Sequence, residues 1–311
     1  MGCSGRLCLG GAMTRRDVDF PSGDGTCAGW VFDPAGSDDA AARPIVILGH
    51  GLGGVKEMRL DAFAECFAAA GYRCLAFDYR HFGASTGEPR QLLDIGRQLD
   101  DWAAAIAYAR SLESVDAGRV VLWGSSFGGG LVIDAAARDS RIAAVISQCP
   151  FTDGIASARA TDLRSTVKVV ARAVRDVAGS LTGRAPVMVD LAGPPGSAAL
   201  MTAPDCESGY RAVAEHAPAF RNEVAARFGL AIARYLPGRR VRKLRCPILF
   251  GICVTDTVAP AAATRRHAKT ATRAEISEFP CGHFDVYLGA DFDRAVIDYV
   301  DFLHRHVPLD A

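Results

Sequence analysis

The stretch Trp123-Gly124-Ser125-Ser126-Phe127-Gly128-Gly129 has the residue types and spacing best suited to chemistry in this chain. A serine hydroxyl attacks a carbonyl effectively only when a neighbouring base takes its proton. A Gly-x-Ser-x-Gly run between a strand and a helix presents such a hydroxyl at the apex of a tight turn, a nucleophile elbow. That turn leaves no room for side chains two positions before and two after the nucleophile. Centring it on Ser126 puts Gly124 and Gly128 at those places, whereas centring it on Ser125 puts Trp123 and Phe127 there, and they would clash. Ser126 is the expected nucleophile.

An elbow of this kind requires an acid and then a histidine, each just after a later strand. The apolar run Ile248–Ile252 is followed by Cys253-Val254-Thr255-Asp256, and the run Ala274–Phe279 by Pro280-Cys281-Gly282-His283. Asp256 can orient an imidazole and stabilise its charged form, and His283 is the expected base. Asp153, after the run Ile142–Ser147, is a rival acid. Asp285 reads as structural, and His267, His304 and His306 fall in helix-like polar stretches that read as surface. Acyl transfer also builds charge on the carbonyl oxygen, which backbone N–H groups can stabilise. The expected donors are the amides of Phe127 and of Leu52, the latter in the loop Gly49-His50-Gly51-Leu52-Gly53-Gly54. His50 and Gly51 are expected to support that loop, as Gly124 and Gly128 support the elbow; a basic role for His50 is the alternative.

These loops need elements to position them. Strand-like runs occur at Cys27–Phe32, Pro44–Leu48, Arg73–Phe77, Arg119–Trp123, Ile142–Ser147, Ile248–Ile252 and Ala274–Phe279, and strand-like patterning already begins just after Met13. Several are continuously apolar, as in strands buried on both faces of a parallel sheet. Helix-like stretches alternate with them. Leu92, Ile95, Leu99, Trp102, Ile106 and Ala109 make one apolar stripe, Leu60–Ala70 closes at Gly71, and Phe127–Arg138 follows the elbow. The alternation predicts an α/β fold with a mostly parallel central sheet flanked by helices. The rhythm breaks between residues 150 and 241, where Ser165–Gly179, Tyr210–Glu215 and Asn222–Tyr235 look helical. We expect a core at 13–149 and 242–311, with a helical cap at 150–241 inserted after the sixth strand, at the sheet edge where ligands bind. The stripe Val167, Val170, Val174, Val177 is expected to pack partly on the core and partly against an acyl pocket.

Lys and Arg total 35, as do Asp and Glu, so the formal charge is zero and nucleic acid is not an expected partner. The ten cysteines are scattered, with no CxxC pair and no zinc spacing. Those at 66, 74, 149, 246 and 253 lie in apolar stretches and read as small buried hydrophobes of a reducing, cytoplasmic compartment. No run approaches the length of a membrane span. Met1–Ala12 lacks the apolar region of a signal peptide, and Arg6 stands where a myristoylation motif wants Ser or Thr. Residues 1–12 are expected to be disordered or to precede the true start at Met13.

The spacing Gly49-x-Gly51-x-x-Gly54 with Asp78 imitates a dinucleotide fingerprint, but that reading leaves Ser126, Asp256 and His283 unused. A P-loop fails because Val55, not Lys, follows Gly54. From about Asp17 to Pro308 the chain resembles Ser-dependent α/β-hydrolases. Besides the elbow, Asp78-Tyr79-Arg80-His81-Phe82-Gly83-Ala84-Ser85 resembles their Asp-x-Arg-Gly-x-Gly-x-Ser loop, with His81 in place of the usual Gly. Residues 51–98 and His283-Phe284-Asp285-Val286-Tyr287 are similar to actinobacterial members described as esterases, lysophospholipases or acylpeptidase-like. The resemblance implies the fold, the triad and hydrolysis of ester-type bonds; no cofactor and no metal are expected. The expected substrate is a small acyl ester of short-to-medium chain. Thioester, amide or peptide hydrolysis, acyl transfer and a non-catalytic binding role remain alternatives, as does a homodimer.

Overall fold

The continuously apolar runs become the inner strands of an eight-stranded sheet in a computed structural model that describes residues 13–36 and 42–309. The expectation about residues 1–12 lies outside the described residues. Along the chain come β1 (Thr14–Ser22), β2 (Gly25–Asp33), β3 (Arg43–Gly49), α1 (Leu60–Ala69), β4 (Arg73–Phe77), α2 (Ile95–Ser111), β5 (Val115–Ser125), α3 (Phe127–Arg138) and β6 (Ile142–Gln148). The inserted segment holds α4 (Gly154–Ala160), α5 (Leu163–Ser180), β7 (Met188–Ala192), β8 (Ala199–Met201), α6 (Cys206–Val213) and β9 (Glu223–Ala225). The core resumes with β10 (Ile248–Cys253), α7 (Ala261–Ala268), β11 (Ala274–Phe279) and α8 (Gly289–His306).

The large sheet runs β1-β2-β4-β3-β5-β6-β10-β11. The β1–β2 and β2–β4 pairings are antiparallel and the others are parallel. Every residue of β4 and β10 is buried, as in strands covered on both faces by helices. The edge strands β1 and β11 alternate instead, with charged residues such as Arg16 and Glu278 outside. Because β3, β5, β6, β10 and β11 run the same way, the loops that follow them gather at one edge. That single fact brings residues 52, 126, 256 and 283 together from four distant stretches of sequence.

Asp94 caps α2 by accepting from the Arg97 N–H at 2.9 Å, and the buried side of the helix carries Leu99, Trp102, Ile106 and Ala109. The resembling loop after β4 is fixed by Asp78, which accepts from the Lys56 N–H and ammonium at 2.6 and 2.7 Å. His81 sits there at φ +74°, the left-handed region that makes glycine usual at such a position. Its Nδ1–H donates to the Pro89 carbonyl at 2.9 Å, which helps hold it there.

The inserted segment holds helices as expected of the cap but is not helical throughout. A three-stranded sheet, β8-β7-β9, lies within it, with β7 parallel to β8 and antiparallel to β9. The helix expected at 222–235 is instead β9 followed by 3-10 turns. Pairing of Glu223–Ala225 with Met188–Asp190 overrides the helical propensity of this Ala- and Arg-rich stretch. Helix α5 forms as expected, but of the valine stripe only Val170 lines the pocket and none packs into the core. Val167, Val170, Val174 and Val177 are 61, 40, 57 and 39% exposed, while Ser165, Val169, Ala173 and Asp176 are buried. The polar seam can turn inward because Asp176 accepts from the Val187 and Arg227 N–H groups at 2.9 Å each and pairs with the Arg227 guanidinium at 2.7 Å.

Candidate active site

Ser126 joins β5 to α3 with φ +56° and ψ −119°, a conformation that L-residues rarely adopt. A Cβ on Gly124 would stand 2.3 Å from the Gly128 carbonyl oxygen, and one on Gly128 would stand 2.4 Å from the His50 carbonyl oxygen. Both are backbone atoms with little freedom to yield, which is the steric rule that selected Ser126 from sequence. Ser125 points into the protein instead. Its Oγ accepts from Gln148 Nε2 at 2.9 Å and shares a hydrogen bond with the Tyr287 hydroxyl.

His283 Nε2 lies 2.9 Å from Ser126 Oγ, and His283 Nδ1 lies 2.7 Å from Asp256 Oδ2. The other Asp256 oxygen accepts from the Val258 and Ala259 N–H groups at 2.8 and 2.6 Å, which fixes the carboxylate plane. The carboxylate therefore accepts the hydrogen bond of Nδ1–H and leaves Nε2 as the acceptor for the serine hydroxyl. Burial by itself disfavours the charged imidazole, but the Asp256 carboxylate, together with the Cys149 sulfur, outweighs it and lifts the His283 pKa well above the ordinary value.

The loop after β3 closes over Ser126. A Cβ on Gly51 would come within 2.9 Å of the Ser126 Cβ, so only glycine fits. His50 accepts the Gly51 N–H on Nδ1 at 2.7 Å and donates from Nε2 to the Met58 carbonyl at 2.9 Å. Burial pushes its pKa down to about 4, so it braces the loop as a neutral ring. The glycines that imitated a dinucleotide site serve close packing: Gly49 abuts Trp102 and Gly54 abuts the His50 ring. The Leu52 N–H has no acceptor among the described residues. Phe127 opens α3, so its N–H has no intrahelical acceptor.

An apolar pocket runs from Ser126 beneath the inserted segment. Leu52, Phe127, Phe151, Val169, Val170, Leu200, Met201, Ile232 and Val258 line it. Of the other candidate residues, Asp153 caps α4 through the Ile155 and Ala156 N–H groups and pairs with Arg266 at 2.6 Å, away from His283. Asp285 accepts from the Gly282 N–H at 2.8 Å and shapes the turn that carries His283. His304 is exposed, and His306 pairs with Glu275 across the protein surface. Two tyrosines at the site were not foreseen. Tyr210 and Tyr287 stand beside His50, Gly51 and His283, and no local spacing marks either one. Among the described residues no group of three or more His, Cys, Asp or Glu is placed to hold a metal ion, and no helix is long and apolar enough to cross a membrane.

The quorum-quenching protein AidA of Acinetobacter baumannii (strain MDR-ZJ06) is 52% identical over 293 residues, spanning 94% of this chain and 95% of that protein. A thiohydrolase of Eupenicillium brefeldianum is 30% identical over 292 residues, 90% of each chain. The structure of DcsB in complex with its substrate analogue superposes with a TM-score of 0.80 at 25% identity, covering 94% of this chain and 99% of that one. A family model described as the alpha/beta hydrolase fold matches residues 44–290. That match takes in the parallel strands and everything inserted among them, and the chain belongs to the α/β-hydrolase family.

Proposed function

We propose that this hydrolase cleaves carboxylic esters of small acyl substrates through an acyl-enzyme on Ser126. As Ser126 Oγ attacks the carbonyl carbon, its proton passes to His283 Nε2 and the oxyanion forms against the Leu52 and Phe127 amides. The carbonyl re-forms, the C–O bond to the leaving alcohol breaks, and His283 returns the proton to that alcohol. Water then attacks the acyl-enzyme, giving its proton to His283, and Ser126 regains a proton as the acid leaves. Asp256 holds the ring and balances its charge at both steps. The observation that carries this reading is the hydrogen-bonded line Ser126–His283–Asp256 at the inner end of an apolar pocket.

The relatives' names fit an acyl-bond hydrolase. The quorum-quenching relative is 52% identical over 94% of this chain, and on this reading the substrate here is a small quorum signal that carries an acyl bond. The thiohydrolase, at 30% identity over nine-tenths of both chains, favours thioesters as the second reading. The test is Ser126→Ala on matched panels of oxygen esters, lactones and thioesters of one acyl chain, with fluorophosphonate labelling alongside. Loss of turnover and labelling in a folded variant is the expected result. Retained turnover by Ser126→Ala refutes the assignment, and wild-type preference for the thioester moves it to the second reading.

A further inference from the structure

We propose that Tyr210, on the cap helix α6, is a positioning residue for the oxyanion loop, so that the reacting groups are fully assembled only while α6 is seated on the core. The inference rests on the reading of Ser126 as an acyl-transfer nucleophile and names how that site is regulated.

Two turns of α6 and the residue before it touch three catalytic loops. The Tyr210 hydroxyl donates to the Leu52 carbonyl, a contact between residues 158 positions apart. A Cβ on Gly209 would stand 2.3 Å from the ring of Phe284, the residue after His283, and the Tyr210 ring meets Phe284 edge-on at 5.6 Å. Asp205, which precedes α6, accepts from the hydroxyl of Thr257, the residue after Asp256, at 2.7 Å.

The contact to Leu52 falls where the loop is most able to change shape. Gly54 N–H donates to the Gly51 carbonyl at 3.2 Å, closing a four-residue turn, and Gly53 has φ +62°. Positive φ at the third position distinguishes type II from type I, and the peptide linking the two central residues is the one that flips between them. Its carbonyl is the Leu52 oxygen that Tyr210 holds. The adjoining peptide carries the Leu52 N–H, so the hydroxyl fixes the plane next to the proposed oxyanion donor. Buried Tyr210 is thus more than filler: its ring packs on the base loop and its hydroxyl satisfies a carbonyl of the oxyanion loop.

Tyr210→Phe keeps the ring and removes the donor. The measurements are kcat and KM on a short-chain p-nitrophenyl ester, Ki for the matching trifluoromethyl ketone, whose adduct carries an oxyanion, and amide hydrogen exchange over residues 51–54. We expect kcat to fall about tenfold, short of losing a whole oxyanion donor. KM should stay within about twofold, the ketone should weaken in step with kcat, and exchange over 51–54 should quicken. A variant with a lower melting temperature but unchanged kcat, ketone affinity and exchange overturns the proposal. Gly209→Ala, which forces α6 away from Phe284, should reproduce the exchange change, and its failure to do so counts equally against it. Ser126→Ala run in parallel separates the two ideas. If that variant still turns over, the acyl-enzyme reading fails, while the clamp still stands or falls on the exchange data.

Discussion

In the core, each reacting group stands within four residues of the end of a strand in one sheet, whereas the pocket wall above it is assembled from helices, short strands and 3-10 turns between residues 150 and 241. Strand register therefore sets where Ser126, Asp256 and His283 lie, and a shift of one residue would swing each to the wrong side. The cap has no such common frame. Its residues are held by pairwise devices, among them the Asp176–Arg227 ion pair, the β7–β9 ladder and the Tyr210–Leu52 hydrogen bond. On the proposed reading, chemistry resides in the regular part and selection of the acyl group in the irregular part.

The sharpest attempt to break this division compares two aspartates. Asp256→Asn should lower kcat by about 10³–10⁴, because His283 loses the partner that sets its tautomer. Asp153→Asn should leave kcat nearly unchanged and cost on the order of 1 kcal/mol or less of stability as a weakened helix cap. The reverse ranking, read by steady-state kinetics and thermal melts, would move the acid to the wrong strand end. A pH profile sharpens the same point. The base must be neutral to act, so kcat/KM should fall as pH drops through the raised His283 pKa, with its midpoint above the ordinary imidazole value of 6.5. His50, pushed down to about 4, stays neutral across that range and should add no second limb near neutrality. In Asp256→Asn the residual limb should move to lower pH; an unmoved midpoint would show that Asp256 does not act on the ring.

The smallest effects test the cap. Val170 lines the pocket and Val174, four residues on, does not. Val170→Ala should shift the preferred acyl length upward by a carbon or two across p-nitrophenyl esters from acetate to palmitate, a few-fold per methylene at about 0.8 kcal/mol each. Val174→Ala should leave that profile unchanged and alter stability by no more than about 0.5 kcal/mol. A profile indifferent to both would leave the cap as a shield only.

Core and cap also differ in what a reader of the chain can foresee. The elbow was legible because its constraint is local: glycine must stand two residues either side of the nucleophile wherever that turn occurs. Helix α3 begins and ends where the residues indicate, and the apolar runs before Asp256 and His283 lie within a residue of β10 and β11. β1 was legible as strand-like patterning just after Met13, since Val18 and Phe20 alternate with Asp17 and Asp19 at a sheet edge. In the cap, the direction of α5 could not be read from its valines. Its buried side is chosen by a carboxylate, Asp176, whose partner Arg227 lies 51 residues on. β7 and β9 are too short to leave a period, and the role of Tyr210 exists only once Leu52 has been brought beneath it.

Ser126 is held in a backbone conformation that costs a non-glycine residue on the order of 1–3 kcal/mol. Glycine would relieve that cost, so Ser126→Gly should abolish turnover and raise the melting temperature together. For a gene of this kind, thermodynamic durability and usefulness pull in opposite directions at one codon. On the proposed reading, a lineage that no longer needed the activity would meet no folding penalty for losing it there.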